Sequence, residues 1–389
     1  MTTEQSAPAL DDQDGMQIVD RRNVRRLVRE LPEQCETALG IGRSIAIEPL
    51  SVAPNVVLFS GVGDSALAGD MAAAVLAEDI GAPVVSDHGS RLPACVGEQS
   101  LVIVTDYSGR SQAVLRNYRE AKSRGATVVC LSGGGRLAEM AARDGTKIVR
   151  IPSDQPSRFA IGYLFVPLVA IIESLGLVSG SVEKLSYGIR LMKNVRESIR
   201  VDTPTARNLA KQLAGAFLDK TPVIYGVSGY RACVANRWRS QIAANSKAPA
   251  ISALFPDLAD GEISAWDAEG RSPANPVFVF LTDPLDKATE IRALMGAAKD
   301  RLDKLGVIEV EMNGSTTVQR MLHGIYLGDF VSYYLAMLYE TDPEITESVA
   351  CIRSQLAERP RSPAAAETPA ADEDVEDDQP AQQGVNEPG

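Results

Sequence analysis

Three loops in this chain have the residue types that bind or work on a small anionic molecule. The first reads Gly61-Val-Gly-Asp-Ser65, between an apolar run and an Ala-rich stretch. Its glycines, Gly61 and Gly63, let backbone come close to a ligand, and the helix that follows offers free N–H groups to an anion. The same residues also make a plain strand-to-helix turn with Ser65 as N-cap. The second, Asp106-Tyr-Ser-Gly-Arg-Ser111, joins another apolar run to a helix beginning near Ser111. The third carries Gln155-Pro-Ser-Arg158. An arginine at a helix start meets an anion, faces solvent or pairs with a carboxylate. A later acidic loop holds Asp260, an acid or base in principle but ionised at pH 7. The two histidines, His88 and His323, stand far apart and give no metal-ligand spacing. No Walker or dinucleotide-binding pattern is present. Neither a metal nor a cofactor is expected.

These loops need strands and helices to aim them. Apolar runs at 56–59, 83–86, 101–106, 127–132 and 147–151 read as buried strands. Helical stretches lie between them, at 65–79, from Ser111, at 134–143 and, very apolar, at 160–175. Strands alternating with helices at this spacing predict a parallel sheet covered on both faces. The plan then repeats. VIYGVSG (223–229) echoes LFSGVGD (58–64), KAPAIS (247–252) echoes GAPVVS (81–86), and VFLTD (279–283) echoes VIVTD (102–106). A further strand is expected at 307–312, and closing helices at 317–339 and 344–356. The fold class is therefore α/β, with two tandem doubly wound parallel-sheet domains. Residues 16–180 form the first and 217–358 the second, with helices at 181–216 between them. Two more helices are expected near 18–31 and 35–41. In such sheets ligands bind beyond the carboxyl ends of the strands, where all three loops fall.

Composition removes several function classes. The net charge is −12, but eight acids and no Lys or Arg lie between Glu367 and Glu387. The rest of the chain carries only −4, so nucleic acid is not an expected partner. Residues 1–15 and 359–389 are polar, acidic or Pro/Ala-rich and are expected to be disordered. The longest apolar run, 163–172, contains Pro167 and is too short to span a bilayer. The N-terminus lacks a signal-peptide pattern. Five scattered cysteines with no CxxC fit a reducing compartment. A cytoplasmic protein with no membrane partner is expected.

One block carries more information than the rest: RWRSQIAANSKAPAISALFPDLADGEISAW, from Arg237 to Trp266. It resembles a block of the bifunctional phosphoglucose/phosphomannose isomerases, a family built from two sugar-isomerase (SIS) domains, which writes it roughly as RWxxQxNENSK and then FPELxHNEIxxW. Arg237, Trp238, Gln241, Asn245, Ser246, Lys247, Phe255, Pro256, Leu258, Glu262, Ile263 and Trp266 keep the frame. The loop at 106–111 resembles the family's phosphate loop, SxSGxT, with Ser108, Gly109 and the Ser111 hydroxyl retained. Asp106 stands for its first serine, and Arg110 is additional. The 61–65 turn resembles its GxGGS turn, with Asp64 in place of a glycine. QPSRFAIGY (155–163) resembles QPRxxxGY, and MLHGIYLGDFVSYYLAMLYETDP resembles the terminal helix.

The resemblance implies aldose–ketose isomerisation through a cis-enediolate, without metal or cofactor, in a homodimer. It implies a substrate site built from Gly61, Gly63, Ser65, Ser108, Gly109, Arg110, Ser111 and Lys247. Arg158 would steady the enediolate. It also places the family's base on Ala244 and its ring-opening histidine on Asp260, with Glu262 two residues away. Alanine has no lone pair to take a proton. Asp64 and Asp106 add two carboxylates where a phosphate would dock, unless both point to solvent or cap helices. Each unit-charge contact at roughly 4 Å is worth about 4 kcal/mol at an effective dielectric of about 20. The sequence therefore leads to a sugar or sugar-phosphate binder whose isomerase activity is lost or much reduced. Two alternatives stand beside it: an active isomerase with its base moved to Asp260 or Glu262, and an assembly protein recruiting a basic partner by its acidic tail.

Overall fold

A computed structural model describes residues 10–89, 91–267 and 275–358. It comprises a large compact unit up to Ile345 and a short one from Thr346. The chain opens with three helices, α1 (Gln13–Val19), α2 (Val24–Arg29) and α3 (Leu31–Arg43). Order begins earlier than composition suggested. Leu10 is buried, and the Asp12 carboxylate caps α1 by accepting the Gly15 N–H at 3.0 Å. The expected helix at 18–31 is two helices. Asp20 ends the first and caps the second, accepting the N–H groups of Val24 and Arg25 at 2.7 and 2.9 Å. The 359–389 tail and residues 1–9 lie outside the described residues.

Five parallel strands follow: β1 (Val56–Ser60), β2 (Val84–Asp87), β3 (Ser100–Asp106), β4 (Thr127–Ser132) and β5 (Lys147–Arg150), in the order β2-β1-β3-β4-β5. Helices α4 (Asp64–Leu76), α5 (Gln112–Ser123), α6 (Gly135–Arg143) and α7 (Ile161–Ser174) connect and cover them, and α8 (Ser181–Ile199) and α9 (Leu209–Phe217) lead onward. The second sheet has β6 (Thr221–Val227), β7 (Ile251–Phe255), β8 (Pro276–Thr282) and β9 (Val307–Glu311), in the order β7-β6-β8-β9, again parallel throughout. Its helices are α10 (Tyr230–Gln241), α11 (Thr289–Leu302) and α12 (Thr317–Leu338). The short unit holds α13 (Glu347–Glu358). In each sheet the chain starts inside, lays the next strand on one side and then crosses to the other. That reversal opens a crevice between β1 and β3, and between β6 and β8.

One hydrophobic core joins both sheets, drawing on α3, α4, α7, α8, α9, α10 and α12. From Val318 to Met337 every residue of α12 except Gln319 is buried. A helix apolar all round must be central, and this one is packed on all sides. It starts with a capping box, Thr316 and Gln319 each satisfying the other's backbone. Gly328 admits Trp238 from α10: a Cβ there would lie 2.0 Å from the indole Nε1, which donates instead to the Gly324 carbonyl at 2.8 Å. No helix among the described residues is long and apolar enough to cross a membrane.

His323 sits inside this packing. Its Nδ1 accepts the Asn313 N–H at 3.3 Å, and burial pushes its pKa down to about 4. The unfolded chain, with a histidine pKa near 6.5, binds the proton more readily between those values. Stability therefore falls as pH drops from about 6.5 towards 4, by up to about 3 kcal/mol. We expect His323→Gln to flatten that part of the urea-midpoint profile. An unchanged slope would mean the ring titrates normally.

Candidate functional site

The loops after β1 and β3 meet at the first crevice. Gly63 has φ +61°, a conformation that favours glycine. A Cβ on Gly61 would come within 2.8 Å of the Ser65 carbonyl carbon and the Ala66 nitrogen. Ser65 is buried, and its Oγ accepts the Tyr107 N–H at 3.3 Å. Gly109 has φ +66°, and a Cβ there would lie 1.8 Å from the Gly134 carbonyl oxygen. Gly109 and Ser65 thus fit one loop against another, Gly61 closes its own turn, and Gly63 serves its backbone conformation with open space around it. Close approach to a ligand is not needed to explain them.

Asp106 takes the capping alternative: it accepts the N–H at the start of α5. It is 4% exposed, and its carboxylate turns back into its own loop. Oδ1 accepts the Ser108 N–H at 3.2 Å and the Ser108 hydroxyl at 3.1 Å; Oδ2 accepts the Ser111 N–H at 2.7 Å. The Ser108 Oγ in turn accepts the Arg110 N–H at 3.2 Å, while the Arg110 side chain is exposed. The carboxylate occupies the donors that the loop would offer to an anion. Charge repulsion is secondary to that.

Asp64 is also engaged. Its Oδ2 accepts the Ser157 hydroxyl at 2.8 Å, and its Oδ1 lies 3.8 Å from the Nη1 of Arg237. Arg237 on α10 is fully buried. It grips Asp329 of α12 through Nε at 3.0 Å and Nη2 at 2.9 Å, and Nη2 also donates to the Arg158 carbonyl at 2.7 Å. Burial pushes the Asp329 pKa up, against the pull of the guanidinium. The two carboxylates expected to repel a phosphate are thus both committed inside the protein.

Arg158 and Lys247 lie close by. The Arg158 Nε donates to the Asn245 side-chain oxygen at 3.2 Å, and its Nη2 to the carbonyls of Pro343 and Glu344 at 3.0 and 2.7 Å. Burial lowers its pKa, with Asp64 acting in the opposite sense. After α10 the chain makes one π turn, Ile242–Ser246, ending at Lys247 with φ +54°. Such turns recur at functional sites. The Lys247 ammonium donates to the carbonyls of Ala244, Asn245 and Asp342 at 2.8, 3.1 and 2.9 Å. Loss of hydration around it and the nearby Arg158 bring its pKa down to about 8. The side chains that the π turn leaves uncovered are the methyls of Ala243, exposed, and Ala244, half-exposed.

Asp260 and Glu262 sit beyond β7 in two 3₁₀ turns, Asp257–Asp260 and Glu262–Trp266. Both are exposed, and the side chain of neither makes a hydrogen bond or ion pair among the described residues. His88 is exposed beside Asp70, 3.1 Å away. Among the described residues no group of His, Cys, Asp and Glu is placed to hold a metal. Sequence reasoning passed over Asp329 and the carbonyls of 342–344. A lone acid inside the apolar run LGDFVSYY was the available signal for the first.

Comparison with known proteins now bears on this arrangement. Residues 206–356 match the bacterial phospho-glucose isomerase C-terminal SIS domain. A bifunctional phosphoglucose/phosphomannose isomerase of Caldicellulosiruptor bescii is 34% identical over 334 residues, 85% of this chain and 98% of that one. The chain belongs to the bifunctional phosphoglucose/phosphomannose isomerase family. The fold agrees with solved members of the wider SIS group. A glucose-6-phosphate isomerase like protein from Thermus thermophilus superposes with a TM-score of 0.56 at 21% identity, covering 88% of this chain and 99% of that one. Tagatose-6-phosphate ketose/aldose isomerase from Escherichia coli gives 0.61 at 14% identity, covering 88% and 98%.

The ion pair at the centre of the cluster is open to test. Removing one partner of a buried pair strands a charge and costs about 3–5 kcal/mol. We expect Asp329→Ala to lose stability of that order in urea unfolding, and Arg237→Met with Asp329→Leu together to lose less than the two single changes combined. A loss below about 1 kcal/mol for Asp329→Ala, a third or less of the figure for a stranded charge, would show that the pair is not needed.

Proposed function

We propose that this member of the phosphosugar isomerase family binds a sugar or sugar phosphate and has lost most or all isomerase activity. Ala244 carries the reading. The C1–C2 proton shift of an aldose–ketose isomerase needs a titratable group within hydrogen-bond reach of the carbon-bound proton. The family's base position here holds a methyl group. The neighbouring cations, Arg158 and Lys247, orient and stabilise negative charge, which is a binding role. Lys247 is mostly protonated at pH 7, with a pKa of about 8, and its protons are donated to three carbonyls. The protein is taken to work as a cytoplasmic homodimer without metal or cofactor, in keeping with five free cysteines.

A second reading keeps an active isomerase with its base at Asp260 or Glu262. The exposure of both carboxylates favours it, because each is open to substrate and to protons.

Turnover of glucose 6-phosphate or mannose 6-phosphate to fructose 6-phosphate separates the two. Loss of a general base costs about 10²- to 10⁴-fold, so purified protein should run far below about 1 s⁻¹. Ala244→Glu with Asp260→His should raise the rate. Ordinary turnover in the natural chain, abolished by Asp260→Ala or Glu262→Ala, would overturn the first reading and establish the second.

Ligand affinity tests the closed loop separately. Asp106→Ser frees the N–H groups of Ser108 and Ser111 and removes one negative charge. Calorimetric titration with glucose 6-phosphate should then show binding at least about tenfold tighter, a gain of about 1.4 kcal/mol. Equal affinity in both proteins would mean the loop is not where the phosphate docks.

A further inference from the structure

The second sheet has its own crevice, between β6 and β8, and a cavity of about 720 Å³ opens there. Its walls come from the starts of α10 and α12, the loop after β8, and the neighbouring ends of α4 and α8. As in the first sheet, strand-end carboxylates serve the loop. Asp283 accepts the Leu285 N–H at 2.8 Å, and Asp286 accepts the Ala288 N–H at 3.0 Å. This crevice brings four cations to its wall, Lys184, Arg231, Lys287 and Arg320, beside the carboxylates of Glu78, Asp79, Asp283 and Asp286.

Their states differ in a way that matters. Lys184 pairs with Asp79 at 2.5 Å, and Arg320 lies 2.9 Å from Asp283, which also accepts the Tyr230 hydroxyl at 2.7 Å. Arg231 is 6% exposed and pairs with Asp286 through Nη2 alone. Its Nε and Nη1 make no hydrogen bond among the described residues, although the side chain lines the cavity. Neither nitrogen is among the buried atoms left without a partner, so both are open to the cavity, where they can donate to an acceptor. Lys287 is exposed on the rim, and its ammonium has no hydrogen bond or ion pair among the described residues. Two helix N-termini, of α10 and of the 22-residue α12, face the same space. The side chain of Thr316 satisfies only the Gln319 N–H, so the first N–H groups of α12 remain available.

We propose that this cavity is a second ligand site, for a small hydroxylated phosphomonoester of sugar-phosphate size. The phosphate takes the open donors of Arg231 and the Lys287 ammonium, with helix N–H groups behind it. Hydroxyls fall to the Asp283 and Asp286 carboxylates. The site is separate from the Arg158–Lys247 cluster and independent of whether that cluster catalyses.

The test is calorimetric titration of the full chain at low ionic strength with glucose 6-phosphate, and with inorganic phosphate as competitor. Lys287→Glu, a change at an exposed position, should weaken one binding step at least about tenfold; Arg231→Lys, which keeps the charge but loses the open edge, should weaken it too. Asp106→Ser should leave that step unaltered. Raising the salt should weaken it, since the rim is open to solvent. No binding by the natural chain at millimolar ligand, or equal affinity in Lys287→Glu, would overturn the proposal. Loss of the step only on changing residues of the first crevice would do the same.

Discussion

A guanidinium with no solvent contact constrains everything around it. Arg237 cannot be deprotonated, so its burial requires carboxylate on hand and acceptors for its fork. Asp329 supplies the first in two-pronged geometry, and the Arg158 carbonyl takes part of the second. The next residue along α10 is also engaged. Trp238 enters the notch at Gly328, beside Asp329. Two adjacent pairs, one ionic and one steric, therefore set how α10 and α12 lie together. The same arginine reaches the 157–159 turn and the start of α4, so the first crevice inherits its geometry from a contact made in the second half of the chain. A lysine could not replace it, because a single ammonium cannot serve a two-pronged carboxylate and a carbonyl in these directions.

This constraint gives Asp64 its function. Arg158 and Arg237 stand near one another, and two cations in a partly dry region repel. Asp329 balances one, and Asp64 lies within Coulomb range of both. At a position where a glycine would only turn the chain, aspartate also neutralises. Asp106 does something related by another route. Three donors converge on its carboxylate, so the loop has an anion built in, held covalently at high effective concentration. A free phosphate would have to displace it and leave a buried carboxylate without partners, which is costly.

The fold was largely legible because its signals are local and repeat. Apolar strands, glycine turns and the echo of VIVTD in VFLTD place both sheets in nearly their observed positions. The sign of the charge at 64 and 106 was legible too, but its direction was not. An aspartate at a strand end can face outwards to a ligand or inwards to the next N–H groups, and periodicity does not distinguish these over five residues. Asp329 was hidden for a related reason. Its partner is 92 residues away, and only tertiary packing shows that an acid in an apolar helix answers an arginine elsewhere. Helix α2 was merged with α1 because a single Asp20 both ends one helix and caps the other.

The π turn and the Lys247 that ends it hold the two cations of the cluster against the segment after α12. Lys247 is left in αL backbone with its ammonium over three carbonyls, and Arg158 lies near enough to depress its pKa. No carboxylate stands at 244 to share either charge. The carbonyls of 342–344 take that place for both: Asp342 for Lys247, Pro343 and Glu344 for Arg158. Carbonyl dipoles satisfy hydrogen bonds but carry no net charge; the carboxylates of Asp64 and Glu344 act on Arg158, and that of Asp342 on both cations. The turn itself, Ile242–Ser246, carries no side chain that titrates. The backbone of the turn and the Lys247 that ends it link α10 to the segment after α12.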